Sequence, residues 1–115
     1  MASGRGKYLP PCIIVGVLNT DRTRDFTPTA SAAGRDGKIS IDAIPQGGGS
    51  EAFSKFLTEE LRPAIDSAYR TNGWNMLIGH SYAGLFTLNT FLRHTELFDT
   101  YLAVDPSLWW DQGRL

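Results

Sequence analysis

The sequence predicts an α/β fold in which parallel strands alternate with crossover helices. Three short apolar segments, at residues 12–18, 75–79 and 101–104, have the length and composition of buried strands. Two longer segments, at residues 50–70 and 82–94, carry apolar residues at helical spacing. The resulting order of strand, helix, strand, helix and strand is typical of a parallel sheet with right-handed crossovers.

The first apolar segment and the polar segment after it are expected to differ in structure. Residues 12–18 read C-I-I-V-G-V-L, which predicts a strand buried on both faces, with the thiol of Cys12 buried as well. Residues 19–49 are polar and contain several prolines and glycines. We expect them to form a functional loop at the rim of an active site, with a short extended piece at residues 38–41.

The first predicted helix has a favourable beginning and an interruption. Ser50 is a good N-cap, and Glu51 lies near the positive end of the helix dipole. Pro63 falls inside the apolar pattern, so we expect a kink or a break near Leu61. At the end of the second predicted helix, His94 is expected to act as a C-terminal cap that the dipole favours.

Composition and charge argue against several kinds of function. The chain has 115 residues and a formal net charge of -1, which suits one domain over residues 1–115 and gives no field that attracts nucleic acid or an anionic membrane. No apolar stretch is long enough to span a bilayer, and residues 1–7 lack the apolar core of a signal peptide, so we expect a cytoplasmic protein. We find no metal-ligand spacing, P-loop or dinucleotide fingerprint, and we expect no metal and no cofactor.

The segment around Ser81 is the part of the sequence most informative about chemistry. A predicted strand runs into Gly79, one residue separates it from Ser81, and a helix follows at once. This is the context of the G-x-S-x-G nucleophile elbow, in which a sharp turn exposes the serine hydroxyl above the sheet. Gly79 is small, and Ala83 stands where the second glycine usually lies. The backbone N–H of Tyr82, at the helix N-terminus, is the expected oxyanion donor.

Alternative interpretations remain open for two of these positions. Ser81 could instead be the N-cap of an ordinary crossover helix. Asp105 follows the third predicted strand, at the sheet edge where ligands bind in open α/β folds. It is either the acid of a catalytic triad or a cap for the turn before Pro106.

Several segments of the sequence match one protein family in the same order. Residues 78–84 read I-G-H-S-Y-A-G. Residues 14–17 read I-V-G-V, and residues 22–28, which follow them, read R-T-R-D-F-T-P. Residues 56–66 and 105–110 match the family's helix before the nucleophile strand and the segment after its next strand. Together they resemble the "Putative esterase" family of α/β hydrolases, which includes esterase D-like enzymes and siderophore esterases. The resemblance implies a partial α/β-hydrolase fold and a serine esterase.

The resemblance also implies that this chain corresponds to the central part of the family's fold, from its fourth to its sixth strand. In the family, the third strand lies between the fourth and the fifth, and the triad acid and histidine follow the seventh and eighth strands. His80 is adjacent to Ser81 on the turn, and adjacent side chains leave the backbone in different directions. His94 lies roughly 20 Å away at the far end of the helix. We therefore expect this chain to lack the catalytic base.

Three residues near the same sheet edge are candidates for substrate binding. Trp109 and Trp110 follow the third predicted strand and either line an acyl or aromatic pocket or pack in the core. Arg22 follows the first predicted strand. By resemblance to siderophore esterases it would face an anionic substrate, whereas a solvated loop arginine is the alternative.

The sequence supports two hypotheses about function. The first is a serine carboxylic-ester hydrolase that forms an acyl-enzyme at Ser81 and acts on a small-molecule ester, of the siderophore or short-chain type. The second is a non-catalytic fragment of the fold that self-associates. In either case strands without neighbours leave backbone groups unpaired, so we expect a homo-oligomer or a strand exchange.

Overall fold

The structure of the protein is a computed structural model, and it describes residues 11–114. The described residues contain four α-helices and four short strands. The helices are α1 (Arg22–Phe26), α2 (Ser50–Lys55), α3 (Arg62–Ala68) and α4 (Tyr82–Arg93), with a π-helical stretch at Phe56–Leu61 and 3₁₀ turns at Thr95–Leu97 and Trp110–Gly113. The strands are β1 (Ala30–Ser31), β2 (Gln46–Gly47), β3 (Met76–His80) and β4 (Thr100–Val104).

A pair of parallel strands and the helix that connects them form the centre of the fold. β3 and β4 pair from Met76 opposite Thr100 to His80 opposite Val104. α4 runs between them in sequence and packs against both, as a parallel pair requires a crossover connection. Each of these three elements begins and ends within one residue of its predicted bounds. The predicted α/β class is therefore confirmed.

Residues 12–18 depart most from the prediction. They form no strand, and no strand within residues 11–114 pairs with them. Ile14 is 77% exposed and Leu18 is 97% exposed, and Cys12 is exposed where we expected a buried thiol. A strand needs a neighbour to bond its backbone groups, and apolar composition alone does not supply one. The parallel sheet thus has two strands where the sequence predicted three.

The core of the described chain is small and mainly aromatic. Phe26 of α1, Leu57 of the π-helical stretch and Phe86 of α4 are buried in one cluster. The ring centroid of Phe53 lies 5.5 Å from that of Phe26 and 5.3 Å from that of Phe86, in edge-on geometry. Such aromatic pairs contribute about 0.5–1.5 kcal/mol beyond the burial of their area. The cluster fixes α1 and α2 against α4, the helix that follows Ser81.

The segment at residues 19–49 contains more secondary structure than a loop. Asp21 is the N-cap of α1, and its carboxylate accepts a hydrogen bond of 3.0 Å from the backbone N–H of Arg24. β1 and β2 pair in antiparallel fashion. The extended piece expected at residues 38–41 is reduced to a single bridge at Ile39. The prediction missed α1 because five residues are too few to show a helical period.

The predicted start of the first helix is wrong by one residue, and a change of helix type, not a break, lies where we expected a kink or a break near Leu61. Ser50 is the first residue of α2, and Gly49 occupies the N-cap position without a side-chain cap. A Cβ at Gly49 would lie 2.8 Å from the carbonyl oxygen of Arg24, so only glycine fits there. The chain stays helical from Ser50 to Ala68, but its hydrogen bonding is π-helical at Phe56–Leu61, two residues before Pro63, whose missing N–H cannot continue the α-helical pattern.

One face of the parallel pair is left uncovered by the described residues. Met76 and Ile78 of β3 and Leu102 and Val104 of β4 lie on the face opposite α4, and their exposed fractions are 42%, 60%, 48% and 44%. Parallel sheets in proteins are normally covered on both faces. This uncovered face is therefore an apolar surface of the chain that is available for packing.

We predict that the aromatic cluster supplies much of the stability of this chain. Phe86→Ala should lower the free energy of unfolding by about 3–5 kcal/mol, because Phe86 is 2% exposed and the deletion leaves a cavity. Urea unfolding followed by circular dichroism measures the change. Leu92→Ala on the same helix is the control, since Leu92 is 59% exposed. Equal losses for the two variants would contradict the assignment of the core.

Candidate active site

Ser81 lies on a sharp bend between β3 and α4. Its backbone angles are φ 62° and ψ -117°, in a region that residues with a side chain rarely adopt. Such a conformation costs about 1–3 kcal/mol and persists only where the surrounding structure enforces it. The side chain of Ser81 is half-buried and makes no N-cap hydrogen bond to α4. The bend expected from the sequence is thus present, and Ser81 occupies the N-cap position of α4 without using its hydroxyl as a cap.

Three backbone hydrogen bonds hold Ser81 in this conformation. Its N–H donates to the carbonyl of Val104 at 3.1 Å, which ties the bend to the end of β4. Its carbonyl accepts from Leu85 in the first turn of α4 at 2.9 Å and from Ser107 beyond β4 at 3.1 Å. At about 0.5–1.5 kcal/mol each, these bonds offset the strain of the bend.

Two glycines allow the strand and the helix to approach each other at the bend. A Cβ at Gly79 would overlap the carbonyl group of Ala83 and lie 2.5 Å from Oγ1 of Thr87. A Cβ at Gly84 would lie 2.9 Å from the carbonyl oxygen of Val104, so this residue packs against β4. Gly84, one position after the usual second glycine of the motif, therefore makes the close approach on the helical side.

Tyr82 is the first residue of α4 and joins the bend to an aromatic group. Its backbone N–H belongs to the first turn of the helix, where no carbonyl one turn earlier is available to accept it. Its ring centroid lies 5.8 Å from Trp109 and 5.7 Å from Trp110, and the guanidinium of Arg22 lies 5.9 Å from it. Arg22 is also 5.7 Å from the ring of Phe26. The three residues expected to bind substrate are thus gathered around Tyr82.

The two tryptophans differ in their environment. Trp110 is 6% exposed, and its indole N–H donates to the carbonyl of Thr29 at 2.9 Å, so it is anchored under the β1–β2 region. Trp109 is half-buried, and the guanidinium of Arg35 lies 5.8 Å from its ring. Both tryptophans and Tyr82 border an open cavity of about 340 Å³. The rest of the lining comes from residues of the segment at 19–49: Thr23, Ser31, Ala32, Ala33, Gly34, Ala43, Ile44 and Gln46.

Asp105 follows β4 directly and, like Ser81, has a positive φ, of 46°. Its side chain is exposed, and among residues 11–114 it makes no hydrogen bond to a histidine or to Ser81. Within residues 11–114, Asp105 also makes no side-chain hydrogen bond that would cap the turn before Pro106. The residue of this segment that does reach Ser81 is Ser107, whose Oγ lies 3.2 Å from the Oγ of Ser81.

Neither histidine is placed to act as a base for Ser81. His80 ends β3 with an exposed side chain, and no hydrogen bond joins it to Ser81 in the described residues. His94 is the C-cap of α4, as expected, and its imidazole lies 2.5 Å from a carboxylate oxygen of Glu51. Since α4 has 12 residues, the two ends of the helix are about 18 Å apart.

Two pKa shifts belong to groups away from the bend. Burial raises the pKa of Tyr101, whose hydroxyl donates towards the carbonyls at the end of α4 and accepts from Phe98. The neighbouring carboxylate of Asp25 raises the pKa of Arg24 through a hydrogen bond of 2.9 Å to its Nε. Both residues belong to α1, and Asp25 is buried, so the pair satisfies a buried carboxylate within that helix.

Within residues 11–114, no three His, Cys, Asp or Glu side chains come together as a metal site would require. The same part of the chain contains no helix of the length and hydropathy that a membrane span needs.

We predict that the close approach at Gly79 is essential for the bend. Gly79→Ala should lower the free energy of unfolding by about 1–3 kcal/mol, because the added methyl group meets the backbone of Ala83. Gly16→Ala is the matched control, since nothing lies within 4 Å of a Cβ at Gly16. Thermal or urea unfolding compares the two variants. If both substitutions were equally well tolerated, the tight packing of β3 on α4 would be refuted.

Comparison with known proteins places this geometry in a family. Residues 2–114 match the family model described as "Putative esterase". The ferri-bacillibactin esterase BesA of Bacillus subtilis is 36% identical over 114 residues, which cover 89% of this chain and 38% of that protein. A siderophore enterobactin esterase of Emericella nidulans is 34% identical and matches 86% of this chain and 34% of its own length. The chain therefore spans little more than a third of these relatives.

Solved structures show the same similarity in three dimensions. An IroE-like serine hydrolase from Shewanella oneidensis superposes with a TM-score of 0.73 and 41% identity, over 82% of this chain and 30% of that one. The siderophore hydrolase EstA from Aspergillus nidulans superposes with a TM-score of 0.69 and 32% identity, over 89% of this chain and 35% of that one. The fold is thus part of an α/β-hydrolase fold, as expected. The chain belongs to the "Putative esterase" family.

Proposed function

We propose that this chain provides the nucleophile of a carboxylic-ester hydrolase and that the nucleophile is Ser81. The observation that carries the proposal is the backbone of Ser81, held at φ 62° between a strand and the N-terminus of a helix. Strain of this kind is retained where the surrounding structure enforces it, and it clusters at functional sites. Membership of an esterase family supports the same assignment.

The proposed reaction proceeds through an acyl-serine. Oγ of Ser81 attacks the ester carbonyl carbon and loses its proton to a base, while the carbonyl oxygen becomes an oxyanion. The N–H of Tyr82, supported by the dipole of α4, donates to that oxyanion. The carbon–oxygen bond to the alcohol then breaks, and the alcohol leaves with a proton. Water attacks the acyl group next, which releases the acid and restores the hydroxyl of Ser81.

The base in this mechanism comes from outside the described residues, in another segment or another chain. The imidazole of His94 contacts Glu51 at the far end of α4, and in the described residues no hydrogen bond joins His80 to the Ser81 hydroxyl. Asp105 lies at the same edge as Ser81 and is our candidate for the acid that orients such a base. A serine on this bend without its base would still react with strong electrophiles, but slowly.

The proposed substrates are small-molecule esters of the siderophore or short-chain type. Two relatives are named for the siderophore esters they cleave. Near Ser81, the rings of Tyr82, Trp109 and Trp110 border the cavity, and Arg22 lies over Tyr82. Aromatic faces with an adjacent cation suit an aromatic or anionic acyl group.

We predict that Ser81 reacts covalently with a fluorophosphonate probe. The phosphorus forms a bond to Oγ of Ser81 and fluoride leaves, so the intact mass should rise by one phosphonyl group per chain. Ser81→Ala should abolish this adduct, whereas Ser40→Ala should keep it, because Ser40 is exposed in the segment before β2. A chain that stays unlabelled at high probe concentration, or labelling that survives Ser81→Ala, would contradict the proposal.

A second candidate function is self-association without catalysis, and two observations favour it. The face of the parallel pair formed by Met76, Ile78, Leu102 and Val104 is uncovered, and residues 12–18 are apolar, form no strand in the described chain and are exposed except for Val17. Apolar strands with free backbone groups pair readily with another chain. We propose that a second copy of the chain covers this face or pairs with residues 12–18 by strand exchange.

We predict that the chain forms a dimer or a larger homo-oligomer in solution. Ile78→Lys should shift it towards the monomer, because the substitution puts a charge at the centre of the uncovered face. Ile41→Lys is the control, since Ile41 is 99% exposed and lies away from the parallel pair. Light scattering coupled to size exclusion measures the mass. A monomeric unsubstituted chain at high concentration would contradict self-association.

A further inference from the structure

Ser107 contacts the proposed nucleophile but has no part in the mechanism described above. It is 6% exposed, and its Oγ lies 3.2 Å from the Oγ of Ser81. Its backbone N–H also donates to the carbonyl of Ser81 at 3.1 Å. The side chain and the main chain of Ser107 therefore hold the same residue of the bend from one side.

The direction of the hydroxyl–hydroxyl bond follows from burial. The distance alone allows either oxygen to donate. Within residues 11–114, however, the hydroxyl of Ser107 has no other side-chain hydrogen-bond partner, and a buried donor left without an acceptor is unfavourable. Ser81 is half-buried at the open edge, so its own proton has other directions available. Burial therefore favours Ser107 as the donor and Ser81 as the acceptor.

We propose that Ser107 is a positioning residue for Ser81. Its hydrogen bond holds the Ser81 hydroxyl in one rotamer and leaves the Ser81 proton free for the base. A donor at this position also favours the negative charge that grows on Oγ as the proton leaves. This inference rests on the proposed function, because it concerns the reactivity of the same nucleophile.

Ser107 is itself held in place by the segment that follows β4. The N–H of Trp110 donates to the carbonyl of Ser107 at 3.2 Å, and the N–H of Leu108 donates to the carbonyl of Pro106 at 2.8 Å. The buried ring of Trp110 anchors this turn through its bond to Thr29. Trp110 thus acts on the bend indirectly, by fixing the residue that contacts Ser81.

The rate of phosphonylation tests the inference. The maximal labelling rate kinact and the probe constant KI are measured for the unsubstituted chain and for Ser107→Ala. We expect kinact to fall about 3- to 10-fold in Ser107→Ala, the effect of one neutral hydrogen bond, with KI unchanged. Ser54→Ala is the matched control, since Ser54 is a buried serine whose hydroxyl donates to the carbonyl of Glu51 in α2. Its kinact should stay at the unsubstituted value.

A second pair of variants separates the hydroxyl from the packing at this site. Ser107→Thr and Ser107→Val have nearly the same shape, and only the first keeps the hydroxyl. Threonine should label several-fold faster than valine at equal thermal stability. Equal rates for this pair, a normal kinact for Ser107→Ala, or a change confined to KI would overturn the inference while Ser81 stays the nucleophile. An unlabelled unsubstituted chain would overturn the proposed function and the inference together.

Discussion

The strained backbone of Ser81 is the constraint on which the rest of the site depends. A positive φ at a serine is unfavourable, and here it is enforced from two sides: by α4, which starts at the next residue, and by the end of β4. The hydrogen bond from Ser81 to Val104 exists only because β3 and β4 are parallel and in register up to that point. The small sheet therefore matters for the chemistry as well as for the fold.

Packing and proposed chemistry are linked through the same helix. Phe86 of α4 lies in the aromatic cluster with Phe26 and Phe53, and Tyr82 at the start of α4 contacts Trp109 and Trp110. The cluster holds the segment before β3 against the helix, and the tryptophans hold the segment after β4. Because both segments converge on the first turn of α4, the bend, the cavity and Ser107 are positioned by one helix.

The parts of the structure predicted correctly are those that depend on local sequence. The bend at Ser81 follows from small residues between an apolar strand and an amphipathic helix, and the change of helix type before Pro63 lies where that proline predicts an irregularity. Residues 12–18 were mispredicted because a strand is defined by a partner, which composition does not reveal. Ser107 was missed because its contact joins residues 26 positions apart. The sequence did offer one signal: Ser107 follows β4 closely, and β4 is the strand that pairs with β3, at the end of which Ser81 lies.

The most direct test is an experimental structure of the chain after reaction with a fluorophosphonate probe. The account predicts a phosphonyl group on Oγ of Ser81, a φ at Ser81 near 62°, and a phosphonyl oxygen about 3 Å from the N–H of Tyr82. A Ser81 in helical conformation, with its side chain packed inside, would contradict the account. So would a phosphonyl oxygen that points away from the N-terminus of α4.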